Sequence, residues 1–174
     1  MSSIIIASAL ISLIALIIIV LVSINNNHRK KIAIELTSRF TELEEKNNLS
    51  FTHKEMIKNF IIGLDELRKK FFVLRKTDSK YDFQVIDLRV VKSCTKKKIY
   101  SSINMGTIKK ERYENHIDKI ALEFSYLDNR DPIQIYFFES GVNNLLEMSE
   151  LEQKAESWAT ILTKTLNNKL KNTA

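Results

Sequence analysis

The chain has 174 residues, with 27 Lys and Arg against 21 Asp and Glu, so its formal net charge is +6 at pH 7. A single Cys excludes an intrachain disulfide, and the low content of three Gly and one Pro argues against a long flexible linker. The length suits one domain and a connecting segment.

The first predicted element is a membrane span, because residues 4–22 (IIIASALISLIALIIIVLV) contain no charged residue, Gly or Pro. A helix needs about 20 apolar residues to cross a bilayer core of about 30 Å. A cleaved signal would have a basic leader and a shorter apolar core, and the sequence has neither. The predicted lipid-facing residues of this anchor are Ile4, Leu10, Leu13, Leu16, Ile19 and Val22.

The charges beside the span predict its orientation. Arg29, Lys30 and Lys31 follow it, and no basic side chain precedes it. Because basic residues near a span stay on the cytoplasmic side, we expect a single-pass protein of the cytoplasmic membrane, with its N-terminus outside and its C-terminal domain in the cytoplasm. The Asn-, Ile- and Lys-rich composition favours a bacterial source.

A helical connector is predicted next, over residues 25–55. Ala33, Leu36, Phe40 and Leu43 follow a four-three spacing that places them on one helical face. Two interpretations remain open. The face packs against the domain that follows, or it forms a short coiled coil that holds a homodimer.

Beyond residue 56 the pattern changes to short strands. Residues 56–64 and 70–75 predict a hairpin, residues 81–100 one or two strands, and residues 101–115 a long loop. Residues 117–127 alternate apolar and polar side chains, and residues 133–139 follow them as a hairpin partner. An amphipathic helix is predicted from Met148 to Leu170, with Ser149 and Glu152 as its capping box.

This order of elements, with a Trp in the last helix (AESWATIL), resembles a pleckstrin-homology-like (PH-like) domain over residues 56–170. Trp158 is the residue that matches the family pattern, as a structural cap over the core. The expected fold is α+β, in which a single transmembrane helix (residues 1–24) and the connector (25–55) precede a small antiparallel β-barrel or sheet (56–174). About six or seven strands would form it, capped by the C-terminal helix. The resemblance implies a module that binds lipid headgroups or peptides.

The sequence offers little catalytic chemistry. His28, His53 and His116 are scattered, with no Cys or carboxylate at ligand spacing. There is no nucleophile elbow, phosphate-binding loop or zinc-protease motif. We therefore predict a protein that is not an enzyme and has no catalytic residue, metal or cofactor.

Basic residues are the one functional signal. The predicted basic surface consists of Arg68, Lys69, Lys70, Lys96, Lys97, Lys98, Lys109, Lys110 and Arg112. The leading hypothesis is a membrane-tethered binding or scaffolding module that takes a protein partner by strand addition at a sheet edge or in a groove beside the last helix. The alternatives are sensing of anionic lipid headgroups through the basic loops and, third, nucleic-acid binding.

Overall fold

The computed structural model describes residues 2–77, 80–104, 113–128 and 130–171, excluding the side chains of residues 2–10, 25, 26, 28, 29, 102–104, 113–115 and 168–171. Two helices and seven strands are described. They are α1 (Ser2–Lys46), β1 (His53–Ile57), β2 (Phe60–Asp65), β3 (Lys70–Thr77), β4 (Lys80–Asp87), β5 (Val91–Asn104), β6 (Tyr113–Tyr126), β7 (Ile133–Glu139) and α2 (Met148–Lys171).

The strands form two antiparallel sheets, one in the order β1-β2-β3-β4 and one in the order β5-β6-β7. The prediction of one small β-barrel or sheet is wrong for the described residues, which form two separate sheets. A barrel requires strand pairing to continue around the whole circle. Among the described residues β4 does not pair with β5, and each sheet ends in two edge strands. The α+β composition is as predicted, with the strands divided between sheets of four and three.

The chain divides into two compact units, of which the first comprises residues 1–65 and 72–85. Leu36 and Phe40 of α1 pack with Ile61, Phe72 and Leu74 in its buried core. These two helix residues come from the predicted four-three stripe, so the intramolecular packing of that face is confirmed.

The first predicted strand of this unit, residues 56–64, is split by a turn. Residues 56–64 read as one strand, but the chain turns at Lys58 and Asn59, and Ile57 pairs with Phe60. Lys58 has a φ of 52°, a left-handed conformation that a two-residue hairpin turn requires. The long apolar run therefore becomes parts of two antiparallel strands.

The predicted membrane span falls in the N-terminal part of α1. Among the side chains that are described, no helix has a stretch long and apolar enough to cross a bilayer. This finding contradicts the predicted single-pass anchor and the inner-membrane location. Of its anchor residues, Leu13, Leu16, Ile19 and Val22 are exposed, while the side chains of Ile4 and Leu10 lie outside the description.

The second unit comprises residues 66–71 and 86–174. Ile120, Leu122 and Phe124 alternate along β6 and are fully buried, as their period of two predicts. Trp158 of α2 is buried beside Phe71, with ring centroids 5.6 Å apart. The buried stripe of α2 consists of Leu151, Ala155, Trp158, Ala159, Leu162, Thr165 and Leu166.

The start of α2 differs from its prediction. A 3₁₀ turn over Leu145–Glu147 leads directly into the helix, and the capping box is made by Asn144 and Glu147. Asn144 has an extended backbone, and its side chain accepts a hydrogen bond from the N–H of Leu146 at 3.0 Å. Ser149 is therefore not the cap, because helical winding begins before it.

Candidate functional site

The central lysines of the predicted basic surface lie on β5 and are paired with carboxylates. Lys96 Nζ lies 2.9 Å from Glu152 and 2.6 Å from Glu156 of α2, and Lys98 Nζ lies 2.7 Å from Glu152. Lys97 points to the other face of the sheet, where its Nζ lies 2.6 Å from Glu123. These contacts offset much of the positive charge of the lysine run.

The ion pairs of this network shift the pKa values of both a lysine and a glutamate. Hydrogen bonds to Glu156 and Glu152 raise the pKa of Lys96. Lys98 and Lys96 in turn lower the pKa of Glu152. Lys96 and Glu152 are therefore held in their charged forms, and the network ties α2 to β5.

The other basic residues of the predicted surface lie outside β5. Arg68 and Lys69 form the turn before β3, and Lys70 is the first residue of that strand. The backbone of Lys69 is left-handed, with a φ of 55°. Lys109, Lys110 and Arg112 lie outside the described residues. Among the described residues, the predicted basic side chains thus lie in two segments, the turn before β3 and the middle of β5.

Cys94 and the pair formed by Ser101 and His116 carry residue types that are used in catalysis. Burial raises the pKa of the Cys94 thiol to about 12, so it is protonated at neutral pH and a poor nucleophile. Ser101 Oγ lies 3.1 Å from Nε2 of His116, whose Nδ1 is buried without a partner among the described residues. A serine triad would place an orienting carboxylate at that nitrogen. Within the same residues, no group of three His, Cys, Asp or Glu side chains could hold a metal.

An open groove of about 720 Å³ lies between β5 and α2, and we name it the β5–α2 groove. Its strand side is formed by residues 94–96 of β5, an edge strand of its sheet. Its helix side follows one face of α2, because the lining residues recur every three or four positions. The lining residues are Cys94, Thr95, Lys96, Glu156, Ala159, Thr160, Thr163, Lys164 and Asn167.

The backbone of β5 presents hydrogen-bonding groups to this groove. Thr163 Oγ1 of α2 donates a hydrogen bond of 3.3 Å to the carbonyl of Cys94, so this carbonyl points away from β6. In a strand, the N–H and C=O of one residue leave on the same side, and that side alternates along the chain. Lys96 therefore also directs its backbone groups to the free edge.

Small side chains keep the groove open. Ala159, Thr160 and Thr163 line its middle, where longer side chains would lie across the strand edge. Thr160 turns its hydroxyl inward to the carbonyl of Glu156 at 3.0 Å, which keeps it close to the helix. The middle of the groove is therefore bordered on its helix side by side chains no larger than threonine.

The sequence prediction did not select the threonines or Lys164. The sequence does contain a pattern that could have indicated the groove, because three small residues, Ala159, Thr160 and Thr163, lie on one helical face. That pattern is common on helix surfaces and becomes informative only once an edge strand lies beside it. Trp158, predicted as a cap, lies in the core below and does not line the groove.

Comparison of the chain with models of protein families, with curated proteins and with solved structures finds no match. Function is therefore inferred from the geometry of the chain itself.

Proposed function

We propose that this chain is a non-enzymatic protein-binding module that takes an extended segment of a partner as an added strand on β5. The observation that carries the proposal is the β5–α2 groove, in which an edge strand and small helix side chains border the same opening. Strand addition obtains affinity from main-chain hydrogen bonds and specificity from the side chains that line the groove.

The expected affinity is modest. Each hydrogen bond between backbones contributes a net of about 0.5–1.5 kcal/mol, and a short strand forms only a few. Side-chain burial against Ala159 and the aliphatic parts of Thr160 and Thr163 adds to this.

Two further features support a binding module. The sequence of seven strands followed by one amphipathic helix, with Trp158 buried in it, is compatible with the proposed PH-like resemblance. Sensing of anionic lipid headgroups and nucleic-acid binding have less support, because Lys96, Lys97 and Lys98 are engaged by carboxylates.

The test is selection of random linear peptides on the full chain, in a mild detergent because residues 11–24 expose apolar side chains. Selected peptides are then measured against Thr160→Trp, which fills the groove, and against Ser157→Trp as a matched control. Both positions are exposed on α2, but only Thr160 lines the groove. We expect Thr160→Trp to weaken binding at least tenfold and Ser157→Trp to leave it unchanged.

Backbone recognition is tested with N-methylated versions of a selected peptide. Because alternate residues of an added strand point their N–H groups at β5, methylation at every second position should abolish binding, while methylation at the positions between them is tolerated. Equal sensitivity at all positions, or equal loss in both Trp variants, would refute strand addition.

A further inference from the structure

Charge is distributed unevenly along the β5–α2 groove. At one end Lys96 is held by Glu152 and Glu156 at 2.9 and 2.6 Å. Toward the other end the lining includes Lys164, and Lys92 lies two residues before Cys94 on β5. Both of these lysines are exposed, and neither has an ion-pair partner among the described residues.

This distribution limits what a bound strand can carry. A basic side chain near Lys164 would meet a like charge, which disfavours that partner. An acidic side chain near Lys96 would meet Glu156 and gain little, because that ammonium group already has two carboxylates. One position of the strand is therefore selective for negative charge, and the other is not.

Building on the proposed function, we infer that the bound partner is an acidic segment of another protein, with an Asp or Glu that pairs with Lys164. This side chain lies on the face of the added strand that is turned toward α2, since residues on one strand alternate between faces. The charge gradient along the groove gives the strand a preferred register, because moving the acid toward Lys96 would bring it against Glu156.

The charge at position 164 can be reversed without rebuilding the groove. Lys164→Glu replaces an exposed side chain on α2, and Lys80→Glu provides a control with the same change in net charge. Lys80 is exposed at the start of β4 and does not line the groove. Both variants are compared with the unaltered chain by circular dichroism, so that a loss of folding is recognised.

The experiment repeats the selection of random linear peptides on the unaltered chain and on the Lys164→Glu variant. We expect Asp or Glu at one α2-facing position with the unaltered chain, and Lys or Arg at the same position with Lys164→Glu. Replacing the acid of a selected peptide by Lys should weaken its binding about three- to tenfold. The Lys164→Glu variant should reverse this preference, and Lys80→Glu should not.

The outcomes separate this inference from the proposed function. Peptides that bind in a Thr160-sensitive manner, but with an acidic preference that Lys164→Glu does not change, would overturn the acidic-partner inference alone. A selection that produces no Thr160-sensitive peptide would overturn the proposed function. Self-association that Thr160→Trp abolishes in the absence of peptide would identify a second copy of the chain as the occupant and would also overturn the inference.

Discussion

Gly63 of β2 lies against the rings of Phe40 and Phe51, and its replacement by Ala tests the packing at this point of the first unit. A Cβ at this position would lie 2.7 Å from Cζ of Phe40 and 2.8 Å from Cδ1 of Phe51. Ordinary contact begins at 3.4 Å, so the two distances fall short by about 0.7 and 0.6 Å. The two rings would have to move for the methyl group to fit.

The rings have little freedom to move. The Phe51 ring lies between those of Phe40 and Phe72, with centroid distances of 4.7 and 5.1 Å. Phe40 is itself 1% exposed and belongs to α1. Overpacking of this kind costs about 1–3 kcal/mol, while replacing Gly by Ala returns about 0.4–1 kcal/mol through the unfolded chain. We expect a net loss of roughly 1–2 kcal/mol.

The assay is thermal unfolding followed by far-ultraviolet circular dichroism. For a chain of this length, 1 kcal/mol corresponds to about 2–4 °C, so Gly63→Ala should lower the midpoint by roughly 2–8 °C. Gly141→Ala is the matched control, because no atom lies within 4 Å of its added Cβ, and the midpoint should stay unchanged or rise slightly.

Repeating Gly63→Ala in a Phe40→Leu variant tests whether the Phe40 ring causes the loss of stability. In a Phe40→Leu chain, which lacks the atom closest to the new methyl group, the further cost of Gly63→Ala should fall by at least about 0.5 kcal/mol. A Gly63→Ala protein as stable as the parent, or an identical cost in both backgrounds, would refute this account of the packing.

Two other predictions concern the second unit. Because Lys98 and Lys96 lower the pKa of Glu152 in the folded chain, its stabilising contribution is present above the ordinary Glu value of about 4.3 and is lost as the pH falls below it. The difference in urea midpoint between the parent and Glu152→Gln should therefore shrink on acidification. Glu150→Gln, which removes an exposed ion pair with Lys154, serves as a control. A midpoint difference for Glu152→Gln that does not depend on pH would count against the network. The Cys94 thiol, whose pKa is raised to about 12 by burial, should react with a disulfide reagent at pH 8 at least about 100-fold more slowly in the folded chain than in denaturant, and equal rates would show that the thiol is accessible.

The ion pairs of Lys96, Lys97 and Lys98 change the interpretation of the lysine-rich stretch of β5. As a sequence, Lys96, Lys97 and Lys98 indicate a surface for anionic lipid or nucleic acid. In the structure their ammonium groups contact Glu152, Glu156 and Glu123. Two of these carboxylates belong to a helix more than fifty positions away in the chain, as in the hydrogen bond between Lys96 and Glu152. Local charge counting does not reveal such pairing.

Periodicity predicted the elements whose burial is regular. The alternation along β6, the bounds of β7 and the stripe of α2 correspond to their predictions. The hairpin turn at Lys58 was missed because its left-handed residue is not one of the Gly or Asn residues that usually indicate such turns. The cap at Asn144 was missed because the 3₁₀ turn extends helical winding before the apolar stripe begins.

The sequence by itself determined the α+β composition, the apolar face of α1 that contains Leu36 and Phe40, and the burial of Trp158. These depend on spacing within one element, where side-chain direction follows from backbone geometry. Only the tertiary structure decided that the strands form two sheets instead of a closed barrel, and that Thr160, Thr163 and Lys164 face the edge of β5. Both depend on contacts between segments distant in the chain, which local patterning does not encode.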